Sequence, residues 1–219
     1  MRKLLPLLLS VVLFLSCESD SYEKGEGRYS LMQADLVDLT VNPDRQATAF
    51  TTDDGDTYQL VKTFSMKWME TADTVYRALI YYNKVSETAV EALGSAFINT
   101  LRPYEHWRLK NQPQDPVGFE SAWMARSGKY LNLGLLIKTG RVDDEEPPHN
   151  IGLAQDTVYV RPDGRRTACY RFLHSQNGVP EYYTNRYYVS ILLPQQRPDT
   201  IRLTLSTYNG VIEKVFHTK

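Results

Sequence analysis

The sequence predicts an all-β protein, with an OB-like small barrel at the N-terminal end followed by a C-terminal β-sandwich. Three observations support this prediction. Apolar and polar residues alternate with a period of two in most segments, as expected of half-buried strands. Short turns rich in Gly, Asn and Asp separate these segments and predict hairpins. An aperiodic stretch with three prolines, Leu101 to Pro116, divides the segments into two sets.

Residues 1–16 are predicted to be a signal peptide. Two cations precede an apolar run of twelve residues, Leu4 to Leu15. Because a membrane-spanning helix needs about 20 residues, a retained transmembrane anchor is not expected. The run ends in the residues Phe14-Leu15-Ser16-Cys17, which resemble a bacterial lipobox. The resemblance implies that the Cys17 thiol is diacylated and becomes the mature N-terminus. The alternative is a plain signal peptide with an incidental cysteine.

Residues 17–27 are predicted to be a lipidated tether, because they are charged and lack apolar periodicity. The OB-like domain is predicted over residues 28–110. Its five strands are expected at Arg28 to Val41, Ala47 to Thr52, Thr57 to Val61, Thr74 to Val85, and Ala89 to Ile98. The first strand is expected to bend midway, because its apolar residues change side. Lys62 to Asp73 is expected to form a short helix or a loop with buried anchors. Three strands, a linker and two strands give the order of an OB-like barrel.

The β-sandwich is predicted over residues 114–219. Its seven strands are expected at Phe119 to Met124, Tyr130 to Lys138, Thr157 to Arg161, Thr167 to His174, Tyr182 to Leu193, Ile201 to Tyr208, and Val211 to Phe216. Gly128 is placed for a positive φ in the first turn, and Asn209-Gly210 is the strongest hairpin dipeptide of the chain. Arg141 to Asn150 is expected to be a charged loop. Seven strands with regular turns are typical of a sandwich, and proteolysis is expected to cut between the two units near Leu101 to Pro116.

Composition limits the partners and the covalent chemistry. The chain has 25 Lys and Arg residues, 26 Asp and Glu residues and a formal net charge of −1. This balance argues against binding to nucleic acid or to an anionic lipid surface. Lipidation of Cys17 would leave Cys169 as the other cysteine of the chain. An intrachain disulfide is therefore not expected, and the fold must depend on packing.

Several segments together resemble NigD-like lipoproteins of Bacteroidota. The resemblance is carried by CESDSYEKGEGRYSLMQADL, TTDDGD, ADTVYRALIYYNKV, SGKYLNLGLLIKTG, GVPEYYTNRYYVSILLP and DTIRLTLSTYNGV, and extends nearly from Cys17 to the end. It implies an OB-type domain followed by a β-sandwich, and it supplies no catalytic or binding residues. The acids directly after Cys17 resemble surface-export signals of Bacteroidota lipoproteins, and a merely soluble tether is the alternative.

Two acidic segments are candidate metal sites. The hairpin residues Asp53, Asp54 and Asp56 offer hard oxygen ligands for calcium. They lack the EF-hand spacing, and a solvated Asp-Gly turn is the favoured interpretation. The run Asp143-Asp144-Glu145-Glu146, with His149 beyond it, is a metal or acid/base candidate. Blocks of like charge are usually solvated loops, and so the sequence predicts no metal and no cofactor.

Cys169 and His174 suggest a thiol nucleophile and its base. Their spacing is odd, and on one strand such residues point to opposite faces, so the two side chains are not expected to meet. A small buried residue is the favoured interpretation of Cys169. The sequence contains no Gly-x-Ser-x-Gly elbow, His-Glu-x-x-His or phosphate-binding loop. It therefore predicts a protein without catalytic activity.

Aromatic residues are the more informative candidates for binding. One predicted strand contains Tyr182, Tyr183, Tyr187 and Tyr188, and further rings occur at Tyr81, Tyr82, Trp107 and Trp123. Exposed rings on a rigid sheet suit glycan or peptide contacts, because they offer apolar area with a polar tip. The alternative is cross-strand packing, since adjacent tyrosines place one ring on each face.

The sequence leaves three hypotheses for function. The first is an outer-membrane lipoprotein of the cell envelope, anchored to the membrane through Cys17, that binds an unknown protein or glycan without catalysis and binds no nucleic acid. The second is an accessory protein for an outer-membrane or secretion partner. The third is an envelope hydrolase without a recognisable motif.

Overall fold

The computed structural model describes residues 30–140 and 149–218. This part of the chain is built almost entirely of strands, which confirms the predicted all-β class. It contains no helix long and apolar enough to cross a bilayer. The predicted signal peptide, the tether with Cys17 and the acidic run Asp143 to Glu146 lie outside the described residues.

The first five strands form a closed barrel, as predicted. They are β1 (Gln33–Val41), β2 (Ala47–Thr52), β3 (Thr57–Phe64), β4 (Thr74–Lys84) and β5 (Ala89–Phe97). Their order around the barrel is β1-β2-β3-β5-β4, and β4 pairs back to β1. Inward-facing residues fill the interior, with the rings of Phe50 and Tyr82 5.1 Å apart at its centre. The order of the five strands in the sequence therefore predicted the barrel correctly.

The barrel strands differ from the predicted ones at their ends. β1 begins at Gln33, and its register shift against β2 lies between Thr40 and Val41 instead of midway. β3 continues to Phe64, and the segment after it is a loop that buries Met69. This is the loop with buried anchors, one of the two alternatives expected for Lys62 to Asp73.

The remaining strands form two facing sheets, which confirms the sandwich. They are β6 (Asn99–Leu101), β7 (Tyr104–Glu105), β8 (Gly118–Met124), β9 (Tyr130–Thr139), β10 (Asn150–Val160), β11 (Arg166–Ser175), β12 (Tyr183–Leu192), β13 (Thr200–Thr207) and β14 (Gly210–His217). One sheet has the order β6-β12-β9-β8 and the other β14-β13-β11-β10-β7. Leucine, isoleucine and valine side chains from both sheets meet in a core that also contains Tyr170 and Phe172.

Two features of the sandwich were not expected from the sequence. β10 begins at Asn150, seven residues before the predicted Thr157, because a register shift between Gln155 and Thr157 interrupts the alternation. Two short strands also occur here, β6 directly before the proline-containing segment and β7 within it. β6 pairs with β12 and β7 pairs with β10, both in parallel, so these strands cover two sheet edges of the sandwich.

The tight turns have the backbone conformations that the sequence predicts. Gly128 and Gly210 have φ values of +66° and +106°, the left-handed region predicted for their hairpins. Asn177-Gly178, before β12, also has positive φ at both residues. These positions fix the register of neighbouring strands and so determine which side chains reach each face.

Candidate functional site

The barrel meets the sandwich through one buried arginine, Arg77 on β4. Its side chain is 5% exposed. Its guanidinium donates hydrogen bonds to the Asp53 carboxylate at 2.7 Å, to Asn132 Oδ1 at 3.1 Å and to Ser190 Oγ at 3.0 Å. Asp53 belongs to the β2–β3 hairpin, whereas Asn132 and Ser190 belong to β9 and β12 of the sandwich. The charge is therefore satisfied jointly by both units.

Asp38 on β1 forms a second set of contacts across the same seam. Tyr130 of β9 donates a hydrogen bond to Asp38 Oδ1 at 2.9 Å, and Lys129 Nζ lies 2.5 Å from Asp38 Oδ2. The Arg77 guanidinium carbon lies 4.0 Å from the centre of the Tyr130 ring. Burial, together with the Asp38 carboxylate, raises the pKa of Tyr130. Its hydroxyl therefore stays a hydrogen-bond donor at neutral pH.

A cleft of about 590 Å³ opens along this seam, between the barrel and the outer face of the β12-β9-β8 part of the sheet. We call it the seam cleft. Its barrel side is lined by β1, the β2–β3 hairpin and β4, and its sandwich side by β8, the following turn and Tyr188 of β12. On the outward face of β4, Arg77 bonds the sandwich sheet, and Leu79 and Tyr81 farther along the same face line the cleft.

Aromatic rings line the seam cleft from both sides. Tyr81 of the barrel and Trp123 of β8 both face it, and Trp123 is 37% exposed. The Trp123 and Tyr188 rings meet edge to face, with their centres 6.3 Å apart. The Tyr188 ring also lies over Gly134, where a Cβ atom would come within 3.4 Å of it. Glycine at position 134 thus leaves room for the Tyr188 ring and for the Ser121 hydroxyl, which a Cβ would approach within 2.6 Å.

Polar groups of the barrel line the same cleft. Asp54 and Asp56 are exposed at the tip of the β2–β3 hairpin, and half-buried Asp35 accepts a hydrogen bond from Tyr82 at 2.7 Å. Burial and this hydrogen bond raise the pKa of Tyr82. Lys84 lies 5.0 Å from the centre of the Tyr58 ring. The barrel side of the cleft therefore carries the carboxylates of Asp35, Asp54 and Asp56 and the ammonium group of Lys84.

The cleft continues past a ridge formed by Leu79, Tyr81 and Tyr188. A second cavity of about 450 Å³ lies beyond these residues and is also lined by Phe97 and Arg186. Arg186 is held in place by Glu120, with Nε 2.8 Å and 3.0 Å from its two carboxylate oxygens. Tyr81 and Tyr188 therefore present rings to two adjoining cavities.

The structure separates the four tyrosines predicted to bind. Tyr188 lies in the seam cleft, whereas Tyr187 points to the opposite face, packs against the sandwich core and bonds Asn99 through its hydroxyl. Tyr182 is 72% exposed beside Gly140, and Tyr183 is exposed at the start of β12. Of the other rings, Trp123 and Tyr81 join Tyr188, Tyr82 is in the barrel core, and Trp107 lies on the 3-10 turn His106–Arg108.

The acidic hairpin has structural partners. Asp53 is engaged by Arg77 and Asn132, and Asp54 lies 3.6 Å from Arg126. Within residues 30–140 and 149–218, no group of three or more His, Cys, Asp and Glu side chains is arranged to hold a metal ion. The hairpin thus contributes to the seam and to the wall of the cleft.

Cys169 and His174 point to opposite faces of β11, as expected. Cys169 is partly exposed beside Arg202 instead of fully buried, and burial raises the pKa of its thiol. His174 is 1% exposed, with Nε2 3.0 Å from Nδ1 of His149 and Nδ1 3.2 Å from the Asp115 carbonyl. Burial lowers the pKa of His174. His174 therefore does not act as a base for the Cys169 thiol.

Sequence reasoning did not find the seam cleft, because its residues come from strands far apart in the chain. One feature of the sequence does indicate a buried polar contact. Arg77 interrupts the apolar strand TVYRALIYY, and a charged residue within such a strand indicates a specific partner. The partner itself, Asp53, could not be identified from one sequence.

Comparison with known proteins gives structural matches. No family model and no curated protein matches the chain. A NigD-like immunity protein from Bacteroides caccae is similar at a TM-score of 0.64 and 20% identity, covering 85% of this chain and 97% of that one. A protein of unknown function from Bacteroides vulgatus is similar at 0.63 and 11% identity, covering 86% and 91%.

A candidate lipoprotein from Bacteroides fragilis is also similar, at a TM-score of 0.63 and 16% identity, covering 86% of this chain and 98% of that one. Each match spans both the barrel and the sandwich of this chain. At such low identity a structural likeness establishes the fold alone. The chain therefore shares the barrel-and-sandwich fold of the NigD-like protein of Bacteroides caccae, in agreement with the resemblance in its sequence.

Proposed function

We infer that this protein is a non-catalytic lipoprotein of the cell envelope, anchored through an acylated Cys17, that binds a carbohydrate chain in the seam cleft. One observation carries this proposal. Three aromatic rings, Tyr81, Trp123 and Tyr188, line the same open cleft of about 590 Å³ as the carboxylates of Asp35, Asp54 and Asp56. The volume is within the range of ligand sites, about 300–1,000 Å³.

Sugars match this arrangement chemically. The C–H face of a pyranose packs on an aromatic ring, and its hydroxyl groups donate hydrogen bonds to carboxylates such as Asp54 and Asp56. OB-type barrels also bind oligosaccharides on other proteins. The cleft is open and continues past Tyr81 into a second cavity, which suits a chain of several sugar units.

A glycan array tests the proposal. We expect the full chain, purified in detergent micelles, to bind one class of glycan. Trp123→Ala should weaken that binding at least tenfold, since losing a central ring at a binding site costs about 2 kcal/mol or more. Trp107→Ala is the matched control, because Trp107 is 65% exposed and does not line the cleft. Equal losses in both variants, or no glycan bound, would refute the proposal.

A protein partner is the second candidate ligand. The observation that favours it is the description of one fold neighbour as an immunity protein and of another, from Parabacteroides distasonis at 16% identity, as toxin-related. In this case a single envelope protein should be captured by the wild type and released by Trp123→Ala, without any glycan bound. This outcome would also fit an accessory role for an outer-membrane or secretion partner.

A hydrolase remains the third hypothesis, and the same purified protein tests it. Turnover of a bound glycan or of a peptide substrate would support it. Loss of turnover on changing Asp144, His149 or His174 would identify the residues responsible. Binding without turnover, at glycan concentrations well above the dissociation constant, would support the non-catalytic proposal.

The proposed anchor makes a separate prediction. Cys17→Ala should leave an uncleaved precursor or a protein in the soluble fraction, because the apolar run before Cys17 is too short to span a bilayer. Mass spectrometry of the wild-type N-terminal peptide should find a diacylated Cys17. An unmodified cysteine in that peptide would contradict the anchor and leave the cleft proposal untouched.

A further inference from the structure

The barrel is closed weakly between β3 and β5. These two strands pair in parallel at only two positions, Gln59 with Ala89 and Leu60 with Val90. Beyond these pairs the strands separate. A cavity of about 420 Å³, which we call the barrel slot, is lined on one side by the end of β3 and the residues after it, Lys62, Thr63, Phe64 and Met66. The other side is lined by Glu91 to Ser95 of β5.

Backbone groups on both sides of the barrel slot lack strand partners. The ladder between β2 and β3 passes from Gln59 directly to Phe64, so Val61 to Thr63 have no partner in β2 or in β5. On the other side, Ala92 to Ser95 pair with β4 through one edge only, and the edge facing the slot has no ladder partner among the described strands. Unpaired strand edges are templates for another strand.

Apolar groups surround these edges. Val61, next to the slot in β3, is 55% exposed, and Met66, which lines the slot, is 39% exposed. Inside it, the Ser95 hydroxyl is buried and has no hydrogen-bond partner among the described residues. Such a hydroxyl costs free energy unless a ligand supplies a partner.

We propose that the barrel slot binds an extended peptide segment of a partner protein, which adds as a strand between β3 and β5. An extended polypeptide is the ligand class that offers alternating donors and acceptors on both of its edges. Its alternate side chains would contact Phe64 and Ala92 on the inner side and Val61 and Met66 at the rim. The slot is distinct from the seam cleft, with which it shares no lining residue.

The test uses a phage library of random linear heptapeptides, panned on the full chain in detergent micelles. Enriched peptides are resynthesised and their affinities measured. Gly94→Phe should weaken binding at least tenfold, because the ring fills the slot. A Cβ at Gly94 would meet no atom closer than Tyr81 Cδ2, at 3.8 Å, which is an ordinary van der Waals contact, and the melting temperature of the variant shows whether the ring is accommodated.

Val75→Phe is the matched control, because it adds a ring at an exposed position of β4 outside the slot. Unchanged melting temperatures would show that both variants fold. A second variant, Ser95→Ala, removes the buried slot hydroxyl that has no hydrogen-bond partner among the described residues. It should weaken binding without adding bulk.

N-methylated peptides distinguish binding between the two edges of the slot from binding to a single strand edge elsewhere. A strand paired on both edges uses every backbone N–H, so N-methylation at any central residue should weaken binding at least tenfold. Augmentation of a single edge, such as that of β14, would make only every second position sensitive. No enriched peptide, equal affinity for wild type and Gly94→Phe, or insensitivity to methylation would each overturn the proposal.

Discussion

At the scale of single residues, Arg77 is the clearest determinant of stability. Its guanidinium is buried and is satisfied by Asp53, Asn132 and Ser190 together. Removing one partner of a buried charge network leaves the others uncompensated, at a cost of about 3–5 kcal/mol. We therefore expect Arg77→Ala to lower the free energy of unfolding by this amount in urea titrations.

Arg202→Ala is the control for Arg77→Ala. Arg202 also pairs with a carboxylate, that of Glu213 at 2.7 Å, but both side chains are about 40% exposed. Exposed ion pairs contribute no more than about 1 kcal/mol. Arg77→Lys should recover only part of the loss, because a lysine cannot reproduce three directed hydrogen bonds. A loss below 1 kcal/mol for Arg77→Ala would contradict the assigned role of the network.

The burial of His174 predicts how the free energy of unfolding depends on pH. Its side chain is buried against His149 and the Asp115 carbonyl, and burial lowers its pKa below the ordinary value of 6.5. Below about pH 6.5 the unfolded chain then binds a proton on His174 that the folded protein does not bind. Stability should therefore be constant above about pH 7.5 and fall as the pH decreases through 6.5, by up to about 1.4 kcal/mol per pH unit.

Denaturant titrations at pH 7.5, 6.5 and 5.5 measure this slope. His174→Gln should flatten it, whereas His106→Gln, on the 3-10 turn outside the pair, should not. If stability does not change between pH 7.5 and 5.5 in the wild type, the folded protein must accept a proton on His174. The assigned direction of the pKa shift would then be wrong.

At the scale of elements, sequence periodicity located strands wherever one face is regularly buried. β2 has the predicted bounds, and β4 ends one residue before the predicted Val85. β10 was found only from Thr157 onward, because the bulge before Thr157 and the glycine at position 152 break the alternation. Short strands such as β6 could not be found, since their pairing depends on partners distant in the chain.

Hairpin turns are the elements that the sequence predicts best, and the β13–β14 turn tests this directly. Gly210 has φ +106° with open space around it, so an added Cβ would cause no clash and only backbone strain. Gly210→Ala should therefore destabilise the protein by about 1–2 kcal/mol. Gly94→Ala is the control, because Gly94 has an ordinary φ and an exposed position in β5, and thermal unfolding measures both. Equal effects of the two substitutions would show that φ is not the cause.

At the scale of the whole molecule, the architecture could be predicted and the candidate site could not. Strand count and order identified the barrel and the sandwich. The seam cleft depends on how the two units meet, and residues from β1, β4, β8 and β12 reach it only in the folded chain. Of the predicted tyrosines, one reaches the cleft, because strand parity directs Tyr187 and Tyr188 to opposite faces.

The division of the chain into two units leads to the last prediction. The sequence places the boundary between residues 110 and 114, within the proline-containing segment. Yet β6 and β7 pair with the sandwich strands β12 and β10, and each covers a sheet edge. A sandwich fragment that begins at residue 99 keeps both edge strands, whereas one that begins at residue 114 exposes the two edges.

We therefore expect the fragment 99–219 to melt at a higher temperature than the fragment 114–219, and to aggregate less, because uncovered edges pair between molecules. Both fragments lack the barrel and with it Arg77, so the difference between them reports on residues 99–113, that is, on the two edge strands together with the hydrogen bonds of Gln112 to Arg171 and of the Pro113 carbonyl to His174. Circular dichroism melts and light scattering measure it. Equal melting temperatures would mean that β6 and β7 contribute no stability, and the boundary suggested by the prolines would then be the correct one for the folding units.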